Sequence, residues 1–283
     1  MYHDEKPLVS VVMPSFNNDL TYMKLSVESI LTQNYPHFEL IIVDDGNNEE
    51  CLDYLRKLNT NLENVTVIFN SKRQGIAQSL NQGLEAAKGK YVMRADLDDI
   101  DVAQRMTRQV EYLEQHSDVD ILGSKVAIID KDGNLTGTWH VKEQHQDLRN
   151  EVYMHCPMCH PSVMYRKEKI LAIGGYDKNF RFSEDYELWT RAFKKGLKFY
   201  NLQEELHQYR LAESPFNRRA LQGYKANVRL KWKNKLFNIG WCKGFLSSLA
   251  VLTLYQVAPN LTGYLRRKFY SLEGSWQTDE KLI

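Results

Sequence analysis

The sequence predicts an α/β fold: a mainly parallel sheet with helices on both faces, followed by a helical tail. Two observations carry that prediction. Four short apolar runs, rich in β-branched residues, alternate with helix-forming stretches over residues 8–93, in the order β-α-β-α-β-α-β. Three of these runs end in polar clusters, Pro14-Ser15-Phe16-Asn17, Asp44-Asp45 and Asp96 to Asp99. Open parallel sheets bind ligands beyond the carboxyl ends of their strands, and that is where these clusters fall.

Residues 8–13 form the first buried strand, broken by Pro14. A helix over 20–32 follows, with Leu25, Ile30 and Leu31 among its apolar positions. Residues 38–43 make the second strand, 49–58 a helix and 65–69 the third strand. The next helix runs through Ala87, with Gly89 read as its terminating glycine. Residues 90–93 make the fourth strand. No Gly-x-Gly-x-x-Gly follows the first strand, which argues against a dinucleotide site. The second half is less regular: a helix over 102–115, a strand over 121–129, a turn at Asp132-Gly133, a helix opening at Glu184-Asp185 and a last strand over 197–202. The globular part is expected to close near Pro215.

The fourth strand leads straight into Asp96-Leu97-Asp98-Asp99. Alternate residues of an extended chain point the same way, so Asp96 and Asp98 converge. Carboxylates brought together repel unless a cation neutralises them, and hard oxygen ligands suit Mg²⁺ or Mn²⁺. One reading is therefore a metal that grips a phosphorylated ligand. The other is an acidic loop in which Asp99 or Asp101 caps the next helix. Capping is likewise the alternative for Glu184-Asp185, since acidic residues suit a first helical turn.

The chain has 283 residues, 43% of them apolar, enough for a full core. Its net charge of +1 hides an uneven distribution. Residues 218–283 hold 12 Lys+Arg against 3 Asp+Glu, and the remainder holds 25 against 33. A basic tail on an acidic body suggests an anionic partner for the tail. Residues 1–7 are polar, with no apolar signal stretch, so a cytoplasmic location is expected. Cys51, Cys156, Cys159 and Cys242 then read as thiols. Cys156-Pro-Met-Cys159, flanked by His155 and His160, offers half a zinc site, and no second cysteine pair completes it.

In the tail, Lys225, Arg229, Lys231, Lys233 and Lys235 crowd together with Trp232 and Trp241. Residues 245–258 are mainly apolar but fall short of the roughly twenty residues a spanning helix needs. Pro259 and Arg266-Arg267-Lys268 follow. A basic, amphipathic helix at an anionic membrane surface is the favoured reading; a helix packed on the protein's own body is the alternative.

Several segments together resemble family 2 glycosyltransferases: Val9 to Asn17, Val43-Asp-Asp-Gly46, Asn70…Arg73-Gln-Gly75, Ala95-Asp-Leu-Asp-Asp-Ile100, His160 to Arg166, Gly174-Gly-Tyr-Asp177, Glu184-Asp-Tyr-Glu-Leu-Trp189 and Tyr209-Arg210. Each is weak alone; their order over residues 8–211 is specific. The resemblance implies a GT-A fold, a Rossmann-like mixed sheet. It also implies a nucleotide-sugar donor, here UDP-linked, a divalent metal (Mn²⁺ or Mg²⁺) and inversion at the anomeric carbon. By the same resemblance Asp98, helped by Asp96, holds the metal, and Asp185 or Glu184 serves as general base, with Asp185 preferred. Pro14, Ser15, Phe16, Asn17, Asp44, Asp45, Arg73, Asp96 and Leu97 line the donor. Of these, Phe16 stacks on the base and Asp45 accepts its hydrogen bond.

Relatives often carry Tyr where Phe16 stands, and a His two residues after the Tyr-Arg pair, where this chain has Ala212. The Gln-x-x-Arg-Trp motif of processive synthases is missing, which implies one sugar per encounter. The expected organisation is a transferase domain over 1–217, with a nucleotide-sugar half over 1–103 and an acceptor half over 104–217, and then the tail over 218–283. The expected partners are a glycan or lipid-linked glycan acceptor and an anionic inner-membrane surface. A haloacid-dehalogenase-type phosphatase also uses Asp-x-Asp, but after its first strand. A sugar-nucleotide sensor would not need the intact acidic motifs. Nucleic-acid binding is not expected, since no recognition module accompanies the basic tail.

Overall fold

The structure, a computed structural model, describes residues 6–211, 218–234, 239–257 and 276–277. Met1 to Glu5, Ala212, Pro215, Lys235, Pro259 and Arg266 to Lys268 lie outside the described residues. The first half follows the predicted order: β1 (Val9–Ser15), α1 (Leu20–Leu31), β2 (Phe38–Asp44), α2 (Glu49–Asn61), β3 (Val65–Phe69), α3 (Ile76–Ala86) and β4 (Tyr91–Arg94). Strand β1 lies between β2 and β4, parallel to both, and β3 extends the sheet beyond β2. The chain therefore reverses its direction of growth at β1/β4, which places a crevice between those strand ends.

Residues alternating along the buried strands serve two separate cores, as the two-residue period requires. Val9, Val11, Met13, Leu40, Ile42, Tyr91 and Met93 face one core, with Met23, Val27 and Ile30 of α1 and Leu55 of α2. Val12, Ile41, Val43 and Val92 face the other, with Ala77, Leu80 and Leu84 of α3. Local capping sets the helix starts. Asp19 accepts from the Thr21 and Tyr22 N–H groups, and Asn48 accepts from the Cys51 N–H.

Gly89 differs from the expectation. Helix α3 closes on Ala87 in an extended conformation, so Gly89 does not terminate it. A Cβ on Gly89 would sit 2.6 Å from the Leu8 carbonyl oxygen and 2.7 Å from the Ser10 nitrogen. Glycine is needed there for close approach of the chain to β1.

The second half runs β5 (Ile100–Asp101), α4 (Arg105–Gln115), β6 (Ile121–Ile129), β7 (Leu135–Trp139), α5 (His145–Glu151), a 3₁₀ turn (His160–Ser162), β8 (Met164–Arg166), α6 (Lys167–Ala172), α7 (Glu184–Lys194) and β9 (Phe199–Arg210). β8 is antiparallel to β4, and β6 antiparallel to β8, which makes the sheet mixed. The last strand is longer than its apolar stretch predicts. β9 follows β6 in parallel from Phe199 to Arg210, with irregular register around Lys125, and its far end pairs with β5. Neither Asp99 nor Asp101 caps α4, whose first residue follows Gln104 without a side-chain cap.

The tail forms α8 (Arg218–Asn234) and α9 (Ile239–Val257), and a short β10 (Trp276–Gln277) pairs with β7. None of the described helices is long and apolar enough to cross a membrane. The expected amphipathic stripe is not what α9 carries: its apolar residues are spread around its circumference. Helix α8 packs on the body, with Leu230 buried in a cluster with Val152, Phe180 and Tyr186. Lys231, expected among the exposed basic residues, is 4% exposed.

Candidate active site

The ends of β1 and β2 are tied into one unit by amide side chains. Asn18 accepts from the Ser15 hydroxyl at 3.0 Å and the Phe16 N–H at 2.9 Å. Asn47 donates to Ser15 Oγ at 2.6 Å and to Asp44, and accepts from the Asn18 N–H at 2.8 Å. Burial pushes the Asp44 carboxyl up, against the pull of Asn47. Asn17 sits in the left-handed region, φ 51°, where asparagine is among the tolerated residues. Pro14 lies on β1 opposite Val43 of β2.

Asp45 organises the next loop. Its Oδ1 accepts from Asn70 Nδ2 at 3.0 Å and the Gln74 N–H at 2.6 Å, and its Oδ2 from the Gly75 N–H at 2.7 Å. Gly75 adopts φ +91°, which turns that N–H onto the carboxylate as α3 begins. The ordered loop carries Arg73 over the Phe16 ring, its guanidinium carbon 3.8 Å from the ring centroid. Phe16 is 41% exposed.

Beyond β4, Asp96, Asp98 and Asp99 each bring a carboxylate oxygen within 4.8 Å of the others. Their environments differ. Asp99 is buried, with Oδ2 3.0 Å from His207 Nε2 and Oδ1 accepting the Arg210 N–H at 2.8 Å. Asp96 Oδ2 lies 2.5 Å from Nη1 of Arg94. Asp98 turns outward, yet the loss of hydration at this crowded end, then Asp96 and Asp99, push its pKa up to about 7. The part of that rise that comes from Asp96 and Asp99 is repulsion of a kind that a bound cation relieves. The donor set thus fits a hard divalent ion, which Asp96 and Asp98 could hold, while Asp99 is tied to His207 and the Arg210 N–H. Leu97 turns its side chain into the core, so any donor contact from Leu97 falls to its backbone.

Sequence reasoning missed Arg94. It ends a buried strand and is itself 3% exposed. Burial opposes its charge, but Asp96, then Tyr176 and Asp99, outweigh burial and keep it protonated. Its Nε and Nη1 have no well-aligned hydrogen-bond acceptor, although Nη1 is in ion-pair contact with Asp96. Beside it, His160 Nε2 lies 2.9 Å from the Tyr176 hydroxyl, and burial, then Arg94, hold that ring neutral. A charged residue closing an apolar run was the available signal for Arg94.

Helix α7 brings the second acidic pair alongside. Ser183 precedes it in the left-handed region, φ 58°, a conformation costing serine about 1–3 kcal/mol. Asn17 and Ser183 are the two non-glycine residues with positive φ among the described residues, and both flank predicted site segments. Burial, then Asp185, pushes the Glu184 carboxyl up to about 8, and Arg94 and Asp96 also act on it. Burial also raises Asp185, against the Tyr186 N–H at 2.7 Å, the Cys156 thiol with Sγ 3.5 Å from Oδ2, and Arg94. Glu184 is 8% exposed, whereas Asp185 is only half-buried and the more accessible of the two. The Cys156-x-x-Cys159 pair holds free thiols raised by burial. Ala212, where relatives often have a metal-side His, lies outside the described residues.

The strand ends thus carry a ring-and-guanidinium platform and an acidic cluster, and α7 adds a second acidic pair close enough for Asp96 and Arg94 to act on Glu184. Glycosyl transferase family 2 matches residues 10–174. An uncharacterized glycosyltransferase of Methanocaldococcus jannaschii is 32% identical over 265 residues, 90% of this chain and 91% of that protein. The O-antigen biosynthesis glycosyltransferase WbnJ of Escherichia coli is 30% identical over 226 residues, 77% of this chain and 85% of that one. Among solved structures, a Pyrobaculum calidifontis mannosyltransferase in complex with GDP-Man and Mn²⁺ superposes with TM-score 0.65 at 16% identity, covering 96% of this chain and 77% of that one. S. aureus TarS 1–349 in complex with UDP-GlcNAc superposes with TM-score 0.64 at 17% identity, covering 94% and 76%. The fold is GT-A, as the sequence resemblance implied.

Proposed function

Because the chain belongs to glycosyl transferase family 2 and is a glycosyltransferase of polysaccharide synthesis, we propose that it moves one hexose or N-acetylhexosamine per encounter from a UDP-sugar to an acceptor hydroxyl, with inversion. The observation that carries this reading is the convergence of Asp96, Asp98 and Asp99 beyond β4, with carboxylate oxygens within 4.8 Å of one another. A Mn²⁺ or Mg²⁺ ion held there would neutralise the charge that develops on a departing diphosphate.

The chain's own residues do the rest. Phe16 offers a ring for stacking, with Arg73 on one face. Asp45 Oδ2 takes one N–H, from Gly75, and keeps acceptor capacity for a base N–H. Ser15, Asn17, Pro14 and Asp44 shape the wall beside it. Asp185 accepts the acceptor's proton as its oxygen attacks the anomeric carbon, and the sugar–phosphate bond breaks on the opposite face. Glu184 is buried and Asp185 is the more exposed of the two, which makes Asp185 the better placed to reach an acceptor hydroxyl.

The acceptor is a glycan or lipid-linked glycan in this reading, met on the cytoplasmic side of a membrane. Lys225, Arg229 and Lys243 are exposed, as are Trp232, Leu246 and Leu249, a composition suited to an anionic leaflet. The side chains of Lys233 and Trp241 lie outside the described residues.

The test is thermal stabilisation by a panel of UDP- and GDP-sugars, with Mn²⁺ or with a chelator. A UDP-sugar should raise Tm only with metal, and Asp98→Asn should abolish that shift. Stabilisation that persists in chelator or in Asp98→Asn would overturn the metal assignment, and preference for GDP-sugars would overturn the base.

A further inference from the structure

Lys231 stands out among the charged residues because it is buried at the junction of three segments. Its Nζ donates to the Met154 carbonyl at 2.6 Å, the Gly244 carbonyl at 2.8 Å and the Ser248 hydroxyl at 2.9 Å. An ammonium has three N–H donors, and these acceptors come from two tail positions on α9 and one on the body. A lysine is rarely buried this far, and burial pushes its pKa down to about 8. A side chain placed at such cost is placed for geometry.

A second observation marks the same junction. A Cβ on Gly244 would lie 2.6 Å from the Tyr153 carbonyl oxygen, 2.8 Å from Met154 Cα and 3.1 Å from Lys231 Nζ. Helix α9 therefore approaches the backbone of residues 153–154 as closely as only glycine allows. Lys231 and Gly244 together seat both tail helices on the segment 152–156.

That segment leads to the base. The Tyr186 hydroxyl donates to the Val152 carbonyl at 2.7 Å. Cys156 Sγ lies 3.5 Å from Asp185 Oδ2. Leu230, beside Lys231, packs with Val152, Phe180 and Tyr186. Tyr186 adjoins Asp185, which accepts its backbone N–H. A packed and hydrogen-bonded path thus runs from α9 through Lys231 and residues 152–156 to Asp185.

We propose that Lys231 is a positioning residue: it fastens α8 and α9 to the Met154 carbonyl, and so fixes the segment that holds Asp185 in place for the acceptor. This rests on the reading of Asp185 as the base. The tail is then part of the acceptor site, and any surface that moves α9 acts on turnover. Removal of the tail would strip the wall behind the base, while the donor residues all lie upstream.

The experiment uses the full chain and two independent variants. Lys231→Met keeps the stem and removes the donors; Gly244→Ala keeps Lys231 and wedges α9 away. Alkylation of Cys156 by N-ethylmaleimide, followed by peptide mass, reads the segment without any substrate. UDP release from the UDP-sugar chosen by the stabilisation screen, with water as acceptor, reads the base, and UDP affinity with Mn²⁺ reads the donor half. Both variants should speed Cys156 alkylation and lower kcat by about tenfold, the loss of roughly one buried hydrogen bond's worth of order. Donor KM and UDP affinity should stay within about twofold, since uniform binding is untouched. Lys231→Arg, which keeps donors and charge, should recover part of the loss.

A lowered Tm with unchanged alkylation and unchanged kcat would make Lys231 a packing residue and overturn the proposal. Faster alkylation with unchanged kcat would sever the segment from the base and overturn it as well. Asp185→Asn with full turnover would instead show that the base reading had failed. The alkylation rates would then still decide whether Lys231 holds the segment.

Discussion

His207 offers a quantitative test of the frame beneath the metal site. Its ring is fully buried, with Nδ1 2.7 Å from Asp101 Oδ1 and Nε2 3.0 Å from Asp99 Oδ2. Carboxylates only accept, so two such neighbours require two ring N–H groups and hence a charged imidazolium. Arg105 also faces Nδ1, at 3.4 Å, but it is itself paired with Asp101. Burial works against the imidazolium, and Asp101 and Asp99 outweigh it, raising the pKa from 6.5 to about 9. Burial raises Asp99 too, with His207 pulling it back. A shift of that size corresponds to about 3 kcal/mol. The folded-state pKa is raised, so this stability is fully present below pH 6.5 and is lost as pH rises through 9. His207→Gln should therefore be less stable than the parent by about 3 kcal/mol or more in urea unfolding at pH 6, since a broken buried pair strands its partners. The gap should narrow as pH rises from 6 through 9, because the charged ring's contribution is lost over that window. A gap identical at both pH values would mean a neutral ring and refute the clasp.

Further outcomes follow from the crevice. Asp185→Asn should lose transfer by about 100-fold or more while UDP binding persists, and Glu184→Gln should lose less. Burial raises the Asp185 carboxyl, and the base works ionised, so parent kcat/KM should rise with pH through a limb above the ordinary aspartate value. A limb at that ordinary value would mean that the base is hydrated. Phe16→Ala should weaken UDP binding by about tenfold, the scale of a base–aromatic stack; a change within twofold would remove Phe16 from the donor wall. Paired Trp232→Ser and Leu246→Ser changes should release the chain from anionic vesicles, as high salt should, and retention under both would leave that surface without a lipid role.

The donor half was legible because its signals are local. Strands β1, β2 and β4 are buried on both faces, so each reads as an unbroken apolar run, and sequential β-α-β connection puts their polar ends side by side. The acidic cluster needed only alternation along an extended chain to converge. Strand β9 was cut short because its second half, Gln203 to Arg210, is mostly polar and is held by pairing with β5 and β6. Pairing between segments about a hundred residues apart leaves no local period to read.

Buried charge marks the limit most clearly. Arg94, Arg105, His207 and Lys231 are all buried, yet composition rules place such residues at the surface. Each is tolerated because the fold supplies its partners: Asp96 for Arg94, Asp101 for Arg105, Asp99 and Asp101 for His207, and three neutral oxygens for Lys231. Arg105 did carry a local trace. It stands in phase with Met106, Gln109, Val110 and Leu113 on the inward stripe of α4. Lys231 carried none, because it sits in a basic run next to Trp232, where neighbouring residues all argue for solvent or headgroups. Its sequence neighbours thus favour a membrane-facing tail, with packing on the body as the alternative. A cation inside a basic segment becomes visible as a core residue only once its acceptors are known, and here they lie on residues 154, 244 and 248.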